Sequence, residues 1–249
     1  MGRVVWRFAL AAGVTGLAAL AGCTVWKLGE ARALALASRA FQQEPATAML
    51  RLLVVGDSTG VGTGATQPAA SVAGLPGTSY PRLLVHNQAS DGARFDAVQA
   101  QLAAATGGRG YDVVPIQAGG NDVIRGTDAA ALTQTLDLTF SAAKARLRPS
   151  GVAIVQPAGN VGNATFFLPP LSQLMSQRAL DLLTAVRSAA DRHGLVFVNL
   201  YQQAPQDPFV QRPGLHAADG LHPSDAGYRV WRDELLAQTD LAKRLAATR

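Results

Sequence analysis

The chain of 249 residues contains a single cysteine, Cys23, so no disulfide can form within it and no cysteine metal cluster can be built. Charged residues make up only 16% of the chain and aromatic residues 6%, and there are four histidines. The net charge of +5 comes from basic residues scattered along the chain. No run of Lys and Arg interleaved with aromatics is present to follow a phosphate backbone, which excludes the usual nucleic-acid surface. His86, His193 and His216 lack metal-ligand spacing relative to one another and read as surface or loop histidines. Nearly half of the chain is apolar, enough for one substantial core with an N-terminal appendage.

The long uncharged run lies at the N-terminus. Arg3 and Arg7 precede an apolar stretch of small residues from Phe8 to Cys23, the layout of an export signal. Leu20-Ala21-Gly22-Cys23 resembles a bacterial lipobox, in which cleavage exposes a cysteine for lipidation. Continued through Trp26, the same run is long enough for an uncleaved membrane anchor; a buried structural helix is the third reading. The first two predict a domain outside the cytoplasm, held at a bacterial membrane by residues 1–26. Residues 27–49 are rich in Ala and Leu and predict a helical stalk or linker ending near Pro45. The domain proper is expected over residues 50–249.

From Leu50 onward, short apolar runs alternate with longer helical segments. Buried strands are predicted near 52–55, 83–85, 113–116, 152–155 and 195–198, and helices near 96–105, 128–147, 172–193 and 224–246. This alternation calls for right-handed βαβ units and hence an α/β fold: a three-layer α/β/α sandwich with a mostly parallel five-stranded sheet. Ligands of such sheets sit beyond the carboxyl ends of the strands.

Those ends carry the unusual residues. Gly56-Asp57-Ser58-Thr59-Gly60 follows the first strand and presents a serine at a strand-to-helix turn; Ser58 there is either a nucleophile or a helix cap. Asn87-Gln-Ala-Ser-Asp-Gly92 follows the second strand and Gly119-Gly120-Asn121-Asp122 the third. Asp219-Gly-Leu-His222-Pro223 precedes the last helix, so one short loop delivers a carboxylate and an imidazole. A serine hydroxyl becomes an effective nucleophile when an imidazole takes its proton and a carboxylate orients that imidazole. His222 is the candidate base, Asp219 its orienting partner, and the N–H groups of Ser58 and Gly92 with the Asn121 amide the candidate oxyanion donors.

In these four blocks the chain resembles the SGNH or GDSL hydrolases, over roughly Leu50 to Trp231. The nearest likeness within that family is to the periplasmic thioesterase and lysophospholipase type. Threonine stands at position 59 where the family often has leucine, and the second block is degraded. The resemblance implies a flavodoxin-like sandwich and a serine esterase that forms an acyl-enzyme on Ser58 and acts on small esters, thioesters or lysophospholipids, with neither metal nor organic cofactor. The Gly-x-Ser-x-Gly pattern also fits the nucleophile elbow of α/β-hydrolases, but a serine after the first strand and an acid three residues from the histidine do not suit that fold. A glycine-rich dinucleotide loop is excluded by spacing.

Asp57 and Asp122 border the key residues and read first as turn and cap formers, with Asp122 also a candidate substrate contact. Phe166 and Phe167, after the fourth strand, are candidates for an acyl-chain pocket or for core packing. Arg125 reads first as a solvated or structural residue, and otherwise as a partner for an anionic substrate group or a nearby carboxylate. The Gly/Ala/Pro/Ser-rich stretch 62–77 suggests a flap over the nucleophile. An alternative function is a carbohydrate O-acetylesterase or acetyltransferase of the envelope; a non-catalytic binding module on the same scaffold is the third reading.

Overall fold

The computed structural model describes residues 25–105 and 110–247. Cys23 and most of the predicted signal or anchor segment lie outside the described residues. Residues 25–37 form a helix, α1. Five parallel strands follow: β1 (Leu50–Gly56), β2 (Leu83–Asn87), β3 (Tyr111–Gln117), β4 (Leu147–Val155) and β5 (Val196–Phe197), in the order β2-β1-β3-β4-β5. Between β1 and β2 lie α2 (Ser58–Val61) and α3 (Gly74–Ser79); α4 (Phe95–Ala104) precedes β3. After β3 come α5 (Gly120–Arg125) and α6 (Ala129–Ala145), and α7 (Leu171–His193) lies between β4 and β5. The chain ends with α8 (Pro208–Gln211), α9 (Asp225–Ala237) and α10 (Leu241–Ala246).

The period-two alternation of side chains along a strand makes both faces of this sheet apolar and divides the core in two. Leu53, Val55, Val114, Ile116 and Val155 face one cluster, packed by α4, α6 and α7. Leu52, Val54, Val113 and Ile154 face the other, closed by Tyr228 and Leu235 of α9, Leu241 and Leu245 of α10, and Val72 and Ala73. This is the predicted three-layer α/β/α sandwich. The order of strands reverses direction between β1 and β3, and at that switch point a crevice opens at the carboxyl ends.

Three local expectations differ from the structure. The predicted stalk is helical only to residue 37 and does not stand off the domain. Gln43 exchanges backbone hydrogen bonds with Val85, and the amides of Gln42 and Gln43 bond the backbones of Asn87, Tyr80 and Leu83, so this segment covers the edge of β2. Residues 62–77 are not a flap: Ala70, Val72 and Ala73 are buried, and Gly77 meets the ring of Phe41. The last helix is broken between α9 and α10, where the Gln238 amide bonds both backbone groups of Asn199 and the Thr239 hydroxyl caps the Leu241 N–H.

The end of β1 is held tightly. Gly56 has φ +141°, and a Cβ there would lie 1.8 Å from the Gln117 carbonyl oxygen, so only glycine lets the chain turn this close to β3. The buried Gln101 amide of α4 accepts from the Gly56 N–H at 2.7 Å and donates to its carbonyl at 2.8 Å. That carbonyl also accepts from the Ser90 N–H, whereas the Gly56 N–H depends on Gln101. Gln101→Ala is therefore expected to cost about 1–3 kcal/mol of unfolding free energy by leaving a buried N–H unpaired. Urea denaturation measures this, and an unchanged midpoint would contradict the assigned role.

Candidate active site

Ser58 opens α2 immediately beyond β1. Asp57 caps that helix, its Oδ1 accepting from the Thr59 N–H at 2.8 Å and from the Thr59 hydroxyl at 2.7 Å. The expectation that Asp57 shapes the turn thus agrees with the contacts it makes. Burial, the largest influence, pushes the Asp57 carboxyl up to about 6, against the hydrogen bonds from Thr59 and the attraction of His222.

His222 reaches Ser58 from the other end of the chain. Its Nε2 lies 3.0 Å from Ser58 Oγ, and its Nδ1 lies 2.5 Å from Asp219 Oδ2. The other oxygen of Asp219 accepts from the backbone N–H groups of Leu221 and His222 at 2.9 and 3.0 Å. Asp219 is fully buried. Burial by itself would raise its carboxyl, but the hydrogen bond and charge of His222 and the two backbone donors outweigh it and hold Asp219 below the usual carboxylate range. The turn is closed by the Ala217 N–H donating to the His222 carbonyl at 2.8 Å, and Gly220 has φ +70°. A carboxylate that fixes an imidazole, with the far nitrogen on a hydroxyl, is the arrangement needed to make that hydroxyl nucleophilic.

A cavity of about 200 Å³ lies beside Ser58 and His222, and Gly92 and Asn121 line it. Among the described residues, the backbone N–H of Ser58, the N–H of Gly92 and the Asn121 side-chain amide meet no hydrogen-bond acceptor, and all three residues border the same space. Free donors beside a serine hydroxyl are suited to receive the negative charge that develops on a carbonyl oxygen. Asn87 shapes the loop that carries Gly92: its amide donates to the Gly60 carbonyl at 2.8 Å and accepts from the Ala89 N–H at 3.0 Å.

Three residues singled out in the sequence are elsewhere. Asp122 is buried away from this cavity, accepting from the Phe95 N–H and the Thr127 hydroxyl, and so ties α5 to the start of α4; burial raises its carboxyl. Phe167 is a core residue, and Phe166 packs edge-on against it with ring centroids 5.0 Å apart. Neither ring lines the cavity; the Phe166 N–H instead donates to the Gly220 carbonyl and braces the turn between Asp219 and His222. Core packing is thus what these rings do. The apolar wall is formed by Ile124, Val161, Leu200, Phe209 and Trp231, together with Ala35 of α1. Phe209 and Trp231, whose rings lie 5.8 Å apart, flank the Asp-x-x-His block in sequence, a signal that could have marked them. His216 lines the cavity against Phe209, and burial lowers it from the ordinary histidine value. Arg125 is exposed and projects beside Gly92. Among the described residues, no group of three His, Cys, Asp or Glu side chains is placed to hold a metal ion.

The profile of the GDSL-like lipase/acylhydrolase family matches residues 54–230. No curated protein is significantly similar to the chain in sequence. Among solved structures, the extracellular lipase from Streptomyces rimosus superposes with a TM-score of 0.61 at 22% identity, covering 76% of this chain and 100% of that one. The psychrotrophic esterase EstA from Pseudoalteromonas sp., whose structure is described as inhibited by monoethylphosphonate, gives 0.59 at 17% identity, covering 79% and 98%. A protein named TesA gives 0.56 at 21% identity, covering 76% and 97%. These likenesses concern the fold.

The raised Asp57 carboxyl has a consequence for stability. Its folded value near 6 exceeds the ordinary 3.8, so the folded state holds a proton that the unfolded chain releases, and stability falls as pH rises from about 4 to about 6. Asp57→Asn keeps a capping oxygen and removes this dependence. The melting temperature of the variant minus that of the parent should therefore grow over that interval and then level off. A difference that stays flat from pH 4 to pH 7 would contradict the burial cost assigned to Asp57.

Proposed function

The chain belongs to the GDSL-like lipase/acylhydrolase family and is an ester-hydrolysing serine hydrolase, and from that premise we propose that it works through an acyl-enzyme on Ser58. The hydrogen-bonded line Asp219–His222–Ser58 carries this reading. As Ser58 Oγ attacks the ester carbonyl carbon, His222 Nε2 takes the hydroxyl proton, and Asp219 stabilises the resulting imidazolium. The tetrahedral oxyanion is received by the Ser58 and Gly92 N–H groups and the Asn121 amide. Collapse breaks the bond to the leaving alkoxide, which takes the proton from His222. A water molecule then adds to the acyl-enzyme, giving its proton to His222, and the carboxylic acid leaves as Ser58 is reprotonated.

The apolar wall of Ile124, Val161, Leu200, Phe209 and Trp231 favours the acyl chain as occupant of the cavity over a sugar. A volume of about 200 Å³ suits one short or medium acyl chain, being smaller than the ~300–1,000 Å³ of sites for drug-sized ligands. The stretch 62–77, whose small and polar residues would suit a sugar, borders no part of that cavity. With its basic head and uncharged run at residues 1–26, the protein is placed by this reading in the bacterial envelope, facing away from the cytoplasm and attached to a membrane, either through Cys23 or by the run itself.

Ser58→Ala is expected to lower kcat/KM for p-nitrophenyl butyrate by at least about 10⁴-fold, and Asn121→Ala by about 10²–10³-fold. Across p-nitrophenyl esters, the rate should peak at a short or medium chain. Undiminished turnover by Ser58→Ala would overturn the nucleophile assignment, and strict preference for acetate would overturn the acyl-chain cavity.

A further inference from the structure

Helix α1 lies outside the segment matched by the family profile, yet it forms part of the site. Ala35 contributes to the wall of the cavity that holds Ser58. Eight residues earlier, the Lys27 ammonium donates to the Thr165 carbonyl, next to the Phe166–Gly220 contact that braces the turn of Asp219 and His222. At about 1.5 Å per residue these two anchor points are roughly 12 Å apart, so α1 runs along the rim of the site.

Its other face is apolar and uncovered. Val25, Leu28 and Leu36 are 69, 54 and 69% exposed and fall on one stripe at helical spacing, with Arg32 between them and Trp26 beside them. Leu168, Leu171 and Leu174 are also exposed. Leu168 is three residues beyond Thr165, within about 11 Å of the point where Lys27 is bound. Most of the exposed large apolar side chains among the described residues belong to these two segments, the first of which contributes Ala35 to the cavity wall while the second begins four residues after Ala164, which lines it.

The sequence that enters α1 indicates the occupant. From Phe8 to Trp26 no residue is charged, and the last two residues of this run belong to α1. Trp26 closes the run and Lys27 follows it, a pairing of residue types suited to the boundary between lipid and water. Exposed Arg32 and Arg39 add positive charge on the same segment, which suits an anionic membrane surface. Among the described residues no helix is long and apolar enough to cross a membrane, and an exposed apolar stripe beside Arg32 and Arg39 is the pattern of a helix that lies along one.

We infer that the outer face of α1 and the leucines at 168, 171 and 174 rest on a lipid bilayer, which places the cavity rim at the membrane surface. Among the esters that the family likeness implies, this selects the one held in the bilayer, a lysophospholipid, whose chain would pass from the membrane beneath α1 into the cavity. This deepens the ester-hydrolase reading and rests on it.

The test uses the full chain reconstituted in phosphatidylcholine/phosphatidylglycerol vesicles. The parent is compared with a variant carrying Leu28→Ser, Leu36→Ser, Leu171→Ser and Leu174→Ser. Hydrolysis of lysophosphatidylcholine in the bilayer should fall at least tenfold in the variant, while p-nitrophenyl acetate in water is turned over at the same rate. Equal rates on the lipid would overturn the inference. So would a solution dimer that the four changes dissociate without altering the lipid rate, which would assign the face to a second copy of the chain. A parent inactive on both esters would instead defeat the underlying function. If the fourfold variant does not fold, quenching by brominated phosphatidylcholine decides: Trp26→Phe should remove part of the quenching of the parent's fluorescence, and no difference between the two would overturn the inference.

Discussion

The site depends on one buried carboxylate. Asp219 has no exposure to water, a placement that by itself favours the neutral acid. It stays ionised because three hydrogen bonds converge on it: two backbone N–H groups of its own turn hold one oxygen, and His222 holds the other at 2.5 Å. The same contacts fix the imidazole, so that its remaining nitrogen points at Ser58 Oγ. Without the carboxylate the ring would lose both its tautomer and its direction. Glycine at 220 lets the chain turn tightly enough for an acid and a base three residues apart to serve one another, and a Cβ there would strike the Thr165 hydroxyl at 2.3 Å.

The sheet brings the second half of the site to this turn. Because β1 and β3 are neighbours although β2 lies between them in sequence, the loops after β1 and β3 open away from each other and leave a crevice. Ser58 enters it from one side and Asn121 from the other, each at the start of a short helix. Gln101 and Gln117 lock the end of β1, Asn87 shapes the loop of Gly92, and Asp122 ties α5 to α4. These buried polar residues support the cavity from behind, and most of their bonds reach backbone groups, which keeps the free donors at its surface in place.

The strands and the long helices are legible in the sequence because buried parallel strands read as continuous apolar runs and their connecting helices carry a different composition. The four blocks around Ser58, Gly92, Asn121 and His222 are legible for another reason: special backbone turns demand glycine, and chemistry demands particular side chains. What is not legible comes from long-range packing. Phe166 and Phe167 are as apolar as a pocket wall would be, and only the fold shows that their rings face the core while Phe209 and Trp231 face the substrate space. Nothing in the local sequence of residues 38–49 announces that Gln42 and Gln43 cap the edge of β2. Likewise the Ala/Leu composition of α1 specifies a helix but not its place beside the active site.

The central claim is that Ser58 is made nucleophilic by His222. The most direct measurement is peptide-mapping mass spectrometry of the intact chain after exposure to a fluorophosphonate, with folded His222→Ala beside it. A single phosphonyl adduct on the peptide containing Ser58, formed rapidly in the parent and lost in the variant, is the predicted result. No adduct, an adduct on another serine, or equal labelling of the variant would contradict the account.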